Sequence, residues 1–261
     1  MTESGQFFSF DGETLQPTIP GSDAILLVAD SWLVDDGRVR SLQQHFERFQ
    51  NSIQDPAVLA DLPKFFEEVI RKLPRDGRWF PRIELHEKTT TNVSRLHLRL
   101  RTAPEQQQSI VLWTHPESDP RTAPLIKGPD LSLAMQLRRG AQMRGADEAV
   151  ILNSDGFIAE GALSSILWWR ADVLCAPGPD IIWLPSVTRN EVFAIAEQMG
   201  ITTRFEKAKP ADLVGLEIWA VSSLQGIRAV DQWLELGSPV GKPTHFEPFQ
   251  KRLKMLSQLL N

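Results

Sequence analysis

Lys127 stands in Pro124-Leu125-Ile126-Lys127-Gly128-Pro129, a stiff and partly apolar loop just before a helix. A lysine held where desolvation lowers its pKa can form a Schiff base with an aldehyde. Glu160 closes the run Asp155-Gly156-Phe157-Ile158-Ala159-Glu160-Gly161, at the end of an apolar strand. Ser186-Val187-Thr188-Arg189 opens a helix whose unpaired N–H groups and dipole suit a phosphate. Ser222-Ser223 follows another apolar strand and offers two hydroxyls on a turn. Taken singly, these are a linker lysine, a strand-end carboxylate, a helix cap and a serine turn. Taken together, they supply an amine, a carboxylate and an anion cradle.

Other chemistries find no support. The chain has no Gly-rich loop ending in Gly-Lys-Ser/Thr, no Gly-x-Gly-x-x-Gly, no His-Glu-x-x-His, no Cys-x-x-Cys and no Gly-x-Ser-x-Gly. Its five histidines, His45, His86, His97, His115 and His245, lack metal-ligand spacing. With 28 basic and 33 acidic side chains the formal charge is −5, the wrong sign for a dedicated nucleic-acid binder. No apolar run reaches the length of a membrane span, and the N-terminus lacks the pattern of a signal peptide. The single Cys175 cannot form an internal disulfide, which fits a reducing compartment and a cytoplasmic setting. Tyr is absent, so any mechanism needing a phenol must do without one.

The 261 residues, 42% hydrophobic and 23% charged, suffice for one large or two small globular domains. Residues 7–10 followed by Asp11-Gly12, and residues 24–34 broken at Asp35-Asp36-Gly37 and resumed over 38–42, predict strands and hairpins. Residues 43–53 and 58–73 carry apolar side chains at helical spacing. Residues 82–87 and 94–101 alternate like paired strands, the second with Arg95, His97, Arg99 and Arg101 on one side. That stripe reads as a solvated face or an anion-facing wall. The prolines of 115–130 mark a linker. A helix follows, with Asp130 as N-cap and Gly145 as stop, then strands over 149–153, 157–160, 164–169 and 173–175. Residues 188–199 form a helix with a Thr188/Glu191 capping box, 217–221 and 227–230 are strands, and 246–260 a last helix. Strand runs mixed with helices, without βαβ alternation, predict two α+β-type domains rather than one doubly wound sheet.

In order and spacing these motifs resemble the class IV aminotransferases, the pyridoxal-phosphate enzymes of fold type IV, which include branched-chain aminotransferase, D-amino-acid aminotransferase and 4-amino-4-deoxychorismate lyase. His45-Phe46-Glu47-Arg48 is similar to the family's His-x-x-Arg helix, and residues 145–166 to its strand-turn-Glu-Gly stretch. Leu184-Pro185-Ser186-Val187-Thr188-Arg189 resembles the Leu-Pro-Gly-Ile-Thr-Arg phosphate loop, with Ser186 for the usual Gly. Ser222-Ser223 matches the second phosphate turn, and Lys127 falls on the Schiff-base lysine. The sequence departs from the family where a Tyr follows the lysine in many relatives, and Phe80-Pro81-Arg82 carries Phe where branched-chain enzymes carry Tyr.

The resemblance implies an α/β chain of α+β type with the D-amino-acid aminotransferase-like fold. It implies an N-terminal domain over 1–117, a linker over 118–127 ending at the lysine, and a C-terminal domain over 128–261. The cofactor would be pyridoxal 5'-phosphate, between the domains, with Lys127 catalytic and Glu160 on the pyridine nitrogen. Arg48, Val187, Thr188, Ser222 and Ser223 would hold the phosphate, and Arg82, Phe80 and Leu224 would face the substrate. An amino acid and a 2-oxo acid would be the substrates and a homodimer the assembly, with no nucleic-acid, membrane or metal partner. The alternatives are an aminodeoxychorismate lyase, which eliminates pyruvate, and a cofactor-free relative.

Overall fold

The computed structural model describes residues 5–19, 25–88, 94–237 and 240–260. The chain forms two compact units. One comprises residues 1–105, 126–129 and 256–261; the other comprises 106–125 and 130–255.

The first unit contains strands β1 (Gln6–Phe10), β2 (Leu15–Pro17), β3 (Leu26–Ser31), β4 (Val34–Asp35) and β5 (Arg38–Val39). Helices α1 (Leu42–Asn51) and α2 (Pro56–Lys72) follow, then β6 (Arg78–Trp79), β7 (Arg82–His86) and β8 (Leu96–Leu100). Five strands form an antiparallel sheet in the order β2-β1-β8-β7-β3. Of the strand expected over 24–34, Ala24 lies outside the described residues. The tight β4–β5 hairpin turns at Asp36 and Gly37, both at positive φ, as its Asp-Gly pair demands. Helix α2 starts on Asp55, whose carboxylate accepts the Ala57 N–H, with Pro56 in the first turn. Its Val58, Leu62, Phe65 and Val69 pack with Phe46 and Phe49 of α1 on Ile83, Leu85, Leu96 and Leu98.

The opposite face of this sheet is not a solvated cationic stripe. His97 is buried, and β7 places Glu84 directly across from it. Arg82 and Arg99, also directly opposite, both donate to Glu84 Oε1, at 2.6 and 3.0 Å. One buried carboxylate thereby offsets the repulsion that two facing cations would otherwise suffer.

The second unit holds β9 (Ser109–Ser118), α3 (Leu131–Gln142), β10 (Glu148–Leu152), β11 (Ile158–Gly161), β12 (Ser165–Arg170) and β13 (Val173–Pro177). Then come α4 (Val187–Gln198), β14 (Thr203–Glu206), β15 (Ile218–Ser222), β16 (Gly226–Trp233) and α5 (Phe246–Met255). Its mixed sheet runs β11-β10-β9-β16-β15-β12-β13-β14. The linker expected from residue 115 begins later, because His115 and Pro116 lie inside β9. Asp130 precedes α3 but makes no cap bond; its carboxylate accepts from the Thr122 N–H and hydroxyl and the Ala123 N–H instead. The N-cap of α4 lies two residues before the Thr188 of its capping-box pattern. Ser186, extended at φ −97°, is the N-cap and accepts the Arg189 N–H, which leaves Thr188 inside the first turn. Helix α5 ends at Met255, short of the expected 260, and Gln258–Leu259 returns to pair with β5.

Candidate active site

In the first unit, Lys127 is fixed through its backbone. The Ala29 N–H on β3 donates to the Lys127 carbonyl at 2.6 Å. Gly128 makes this approach possible. A Cβ there would lie 2.9 Å from the Ala29 nitrogen and Val28 Cα, and its φ of +142° is one that side-chain-bearing residues avoid. Ile126 packs into the first unit's core, so the half-buried Lys127 is tied on both sides.

Helix α1 presents Arg48 to β3. Its Nε and Nη2 donate to the two oxygens of Asp30, each at 2.7 Å, and His45 Nδ1 meets the same carboxylate at 2.7 Å. Asp30 is fully buried. Burial alone would raise its pKa, but Arg48 and His45 outweigh it and hold the carboxyl far below the usual range. The His-x-x-Arg spacing therefore places both residues on one buried anion, one helical turn apart. Arg82 is engaged by Glu84, and Phe80 lies under the Arg101 guanidinium, 5.0 Å from the ring centre.

In the second unit, Glu160 occupies β11 with 7% of its surface exposed. Arg121 donates a short hydrogen bond to its Oε1, and the Leu184 N–H donates to the same oxygen at 2.8 Å. The bond from Leu184 ties the carboxylate to the loop that leads into α4. After Glu160, Gly161 leaves room for Ser164: a Cβ would sit 2.4 Å from Ser164 Oγ and displace the hydroxyl, which donates to buried Glu148. Burial raises the Glu148 pKa, against the lowering pull of Arg228.

The start of α4 has the properties of an anion site. Thr188 is 1% exposed, and its Oγ1 is buried without a hydrogen-bond partner among the described residues. Arg189, also buried, stacks 3.5 Å over the Trp183 ring and leaves its Nε without a partner among the described residues. Desolvation lowers its pKa to about 10, against the raising pull of Glu160. Ser222 ends β15 and accepts the Gln225 N–H, at 3.3 Å, across the turn that contains Ser223 and Leu224. The structure thus joins Glu160 to the α4 loop in one unit, and Lys127 to the strand that carries Asp30 in the other. Asp30 and Arg121 escaped the sequence reading. Asp30 lies in an apolar strand run, and Arg121 in a proline-rich stretch without periodicity.

Comparison with known proteins gives a consistent picture. The family described as amino-transferase class IV matches residues 27–233. A probable branched-chain-amino-acid aminotransferase of Rickettsia bellii is 30% identical over 78 residues, a stretch covering 30% of this chain and 27% of that relative's length. A hypothetical aminotransferase from Mycobacterium tuberculosis, in PLP-bound form, superposes with a TM-score of 0.80 at 20% identity, covering 97% of this chain and 98% of that one. A putative 4-amino-4-deoxychorismate lyase from Legionella pneumophila gives 0.73 at 17% identity, covering 92% and 94%. At these identities the structural likeness is one of fold. Among the described residues, no helix is long and apolar enough to cross a membrane.

Proposed function

The chain belongs to the class IV aminotransferases and has their fold type IV architecture, and we propose that it uses pyridoxal 5'-phosphate on Lys127 to exchange an amino group between an amino acid and a 2-oxo acid. The observation that carries this reading is the start of α4, where a buried, unpartnered Thr188 hydroxyl lies at a helix N-terminus. A phosphate suits that donor set. A cationic ring nitrogen suits Glu160, held at its strand end by Arg121.

When bound, pyridoxal phosphate supplies an aldehyde for the lysine amine and an electron-withdrawing ring. Thr188, Ser223 and Arg48, with the backbone at Val187 and Ser222, anchor the phosphate, a part that does not react. Glu160 keeps the ring nitrogen protonated. The Lys127 amine moves a proton to and from the substrate carbon as base and acid. Arg82, Phe80 and Leu224 face the substrate side. The working enzyme is a cytoplasmic homodimer.

The test is an absorbance spectrum of the purified protein with pyridoxal phosphate, followed by a panel of L- and D-amino acids. A visible band that bleaches with an amino donor, with release of the matching 2-oxo acid, is expected. Lys127→Ala should lose band and turnover at unchanged Tm, since a loop lysine adds little to packing. A wild-type protein without a band overturns the cofactor reading. Pyruvate release from aminodeoxychorismate without amino exchange makes the enzyme a lyase.

A further inference from the structure

Arg121 is the most heavily engaged side chain around Glu160. Its Nη1 donates to Glu160, its Nε and Nη2 clasp Asp119 at 2.8 and 2.6 Å, and Nη2 also donates to the Ile182 carbonyl at 3.3 Å. The Arg121 and Glu160 side chains are only 8% and 9% exposed. The loop itself is pinned: the Arg121 N–H donates to Asp119, and the Thr122 and Ala123 N–H groups to Asp130. Burial would lower the Arg121 pKa, but Asp119 and Glu160 outweigh it and raise it.

We propose that Arg121 is the positioning residue for Glu160, fixing the carboxylate's direction and keeping it an anion, so that it can hold a proton on the cofactor's ring nitrogen. The inference rests on the pyridoxal-phosphate reading. A carboxylate this buried would relieve its desolvation by taking up a proton unless a cation or several donors face it. Arg121 provides the cation. Asp119 keeps that cation from cancelling the site: the three hydrogen-bonded side chains carry two negative charges and one positive. The negative charge left over is what a protonated ring nitrogen neutralises. Arg189, the other guanidinium that feels Glu160, is committed to the Trp183 face. Lys127 lies six positions after Arg121 in the sequence, so one loop both tunes the carboxylate and leads to the amine.

The experiment compares wild type, Arg121→Gln, Arg121→Lys and Asp119→Asn, each loaded with pyridoxal phosphate. Cofactor affinity, the pH midpoint of the visible band, and kcat and KM are recorded. Arg121→Gln should lower kcat by about ten- to a hundredfold with KM little changed, the scale of lost outer-shell support. It should also raise the band midpoint by about one pH unit, because removing a positive charge favours protonation nearby. Arg121→Lys, which restores the charge, should recover part of kcat and most of the midpoint. Asp119→Asn carries the test if Arg121→Gln does not fold: it should lower kcat by less and, because a negative charge is lost, move the band midpoint down rather than up. Wild-type kcat and midpoint in Arg121→Gln and Asp119→Asn overturn the assignment. So does an Arg121→Lys protein as impaired as Arg121→Gln. A wild type without a band overturns the cofactor reading itself, whereas a banded wild type with unaffected variants overturns only the role of Arg121.

Discussion

Asp30 and Arg48 form a two-pronged ion pair, with Nε and Nη2 each 2.7 Å from a different carboxylate oxygen. The carboxylate is fully buried, so the arginine proposed to anchor the phosphate also supports the fold. Arg48→Ala would leave a buried anion with only His45 facing it, a loss of about 3 kcal/mol. We therefore expect Arg48→Ala to destabilise the protein strongly in urea unfolding. A double variant, Asp30→Asn with Arg48→Gln, should recover most of that stability. It should still bind pyridoxal phosphate about tenfold more weakly by equilibrium dialysis, since a charge-assisted contact is gone. Wild-type affinity in the double variant would remove Arg48 from the anchor.

Thr188 should respond with opposite signs in the two states. Its Oγ1 is buried without a partner among the described residues, which costs about 1–3 kcal/mol when nothing fills the site. Thr188→Val removes the hydroxyl at similar size. It should raise the Tm of the cofactor-free protein and weaken its affinity for pyridoxal phosphate, while Thr188→Ser keeps the affinity. A Thr188→Val protein that loses Tm when cofactor-free would show that the hydroxyl has a structural role.

Gly128→Ala should dislodge the lysine without removing it. The added methyl would meet backbone atoms of Val28 and Ala29 at 2.9 Å, and backbone cannot give way as a flexible side chain can. A loss of about 1–3 kcal/mol is expected. Amide exchange at Ala29 should accelerate and the visible band should weaken, although Lys127 is intact. Unchanged exchange at Ala29 would mean that the loop seats elsewhere.

Acid should destabilise the first unit in two stages. Burial, and next the charge of His86, push the His97 pKa from 6.5 down to about 4. Between those values the unfolded chain binds a proton at His97 that the folded one refuses, so stability falls as pH falls. Burial works to raise the Glu84 pKa, but His86, Arg82 and Arg99 prevail and hold it at about 2, below its ordinary 4.5. Its stabilising contribution is complete above the unfolded value and is lost as pH drops toward the folded one. Urea midpoints measured from about pH 7 to about pH 3 should therefore fall throughout. His97→Gln should flatten the upper part of that slope; an equally steep curve would place the titrating group elsewhere.

What the sequence made legible was local. The apolar spacing of α1, α2 and α4, the alternation in β7 and β8, and the Asp36-Gly37 hairpin each depend on neighbours within one element. What it hid was set at long range. Pro116 looked like a break, yet it falls where the β9–β10 register shifts between Val150 and Leu152, a place where a missing N–H is tolerated. The basic residues of β8 looked solvent-facing because their counter-charge, Glu84, comes from another strand. Ser186 displaced Thr188 as cap because its backbone is extended there and its hydroxyl accepts the Arg189 N–H, a choice between two hydroxyl residues that the Thr188/Glu191 spacing does not make. The candidate site divides in the same way: Lys127, Glu160 and the α4 loop lie in recognisable motifs, whereas Arg121 and Asp30 matter through partners 39 and 18 residues away.

The four residues around Lys127 have a bearing on how the chain is made. Strand β3 is the outer strand of its sheet, and residues 126–129 lie along it before the chain returns to the second unit. The C-terminal Gln258–Leu259 likewise completes the small sheet at β5. During vectorial synthesis the first unit thus emerges first and is finished last, with an open strand edge until the loop arrives. Such edges invite pairing with other chains. The loop that carries Lys127 meets that edge at Ala29, so a first unit made without residues 126–129 would leave the edge open to pairing with copies of itself.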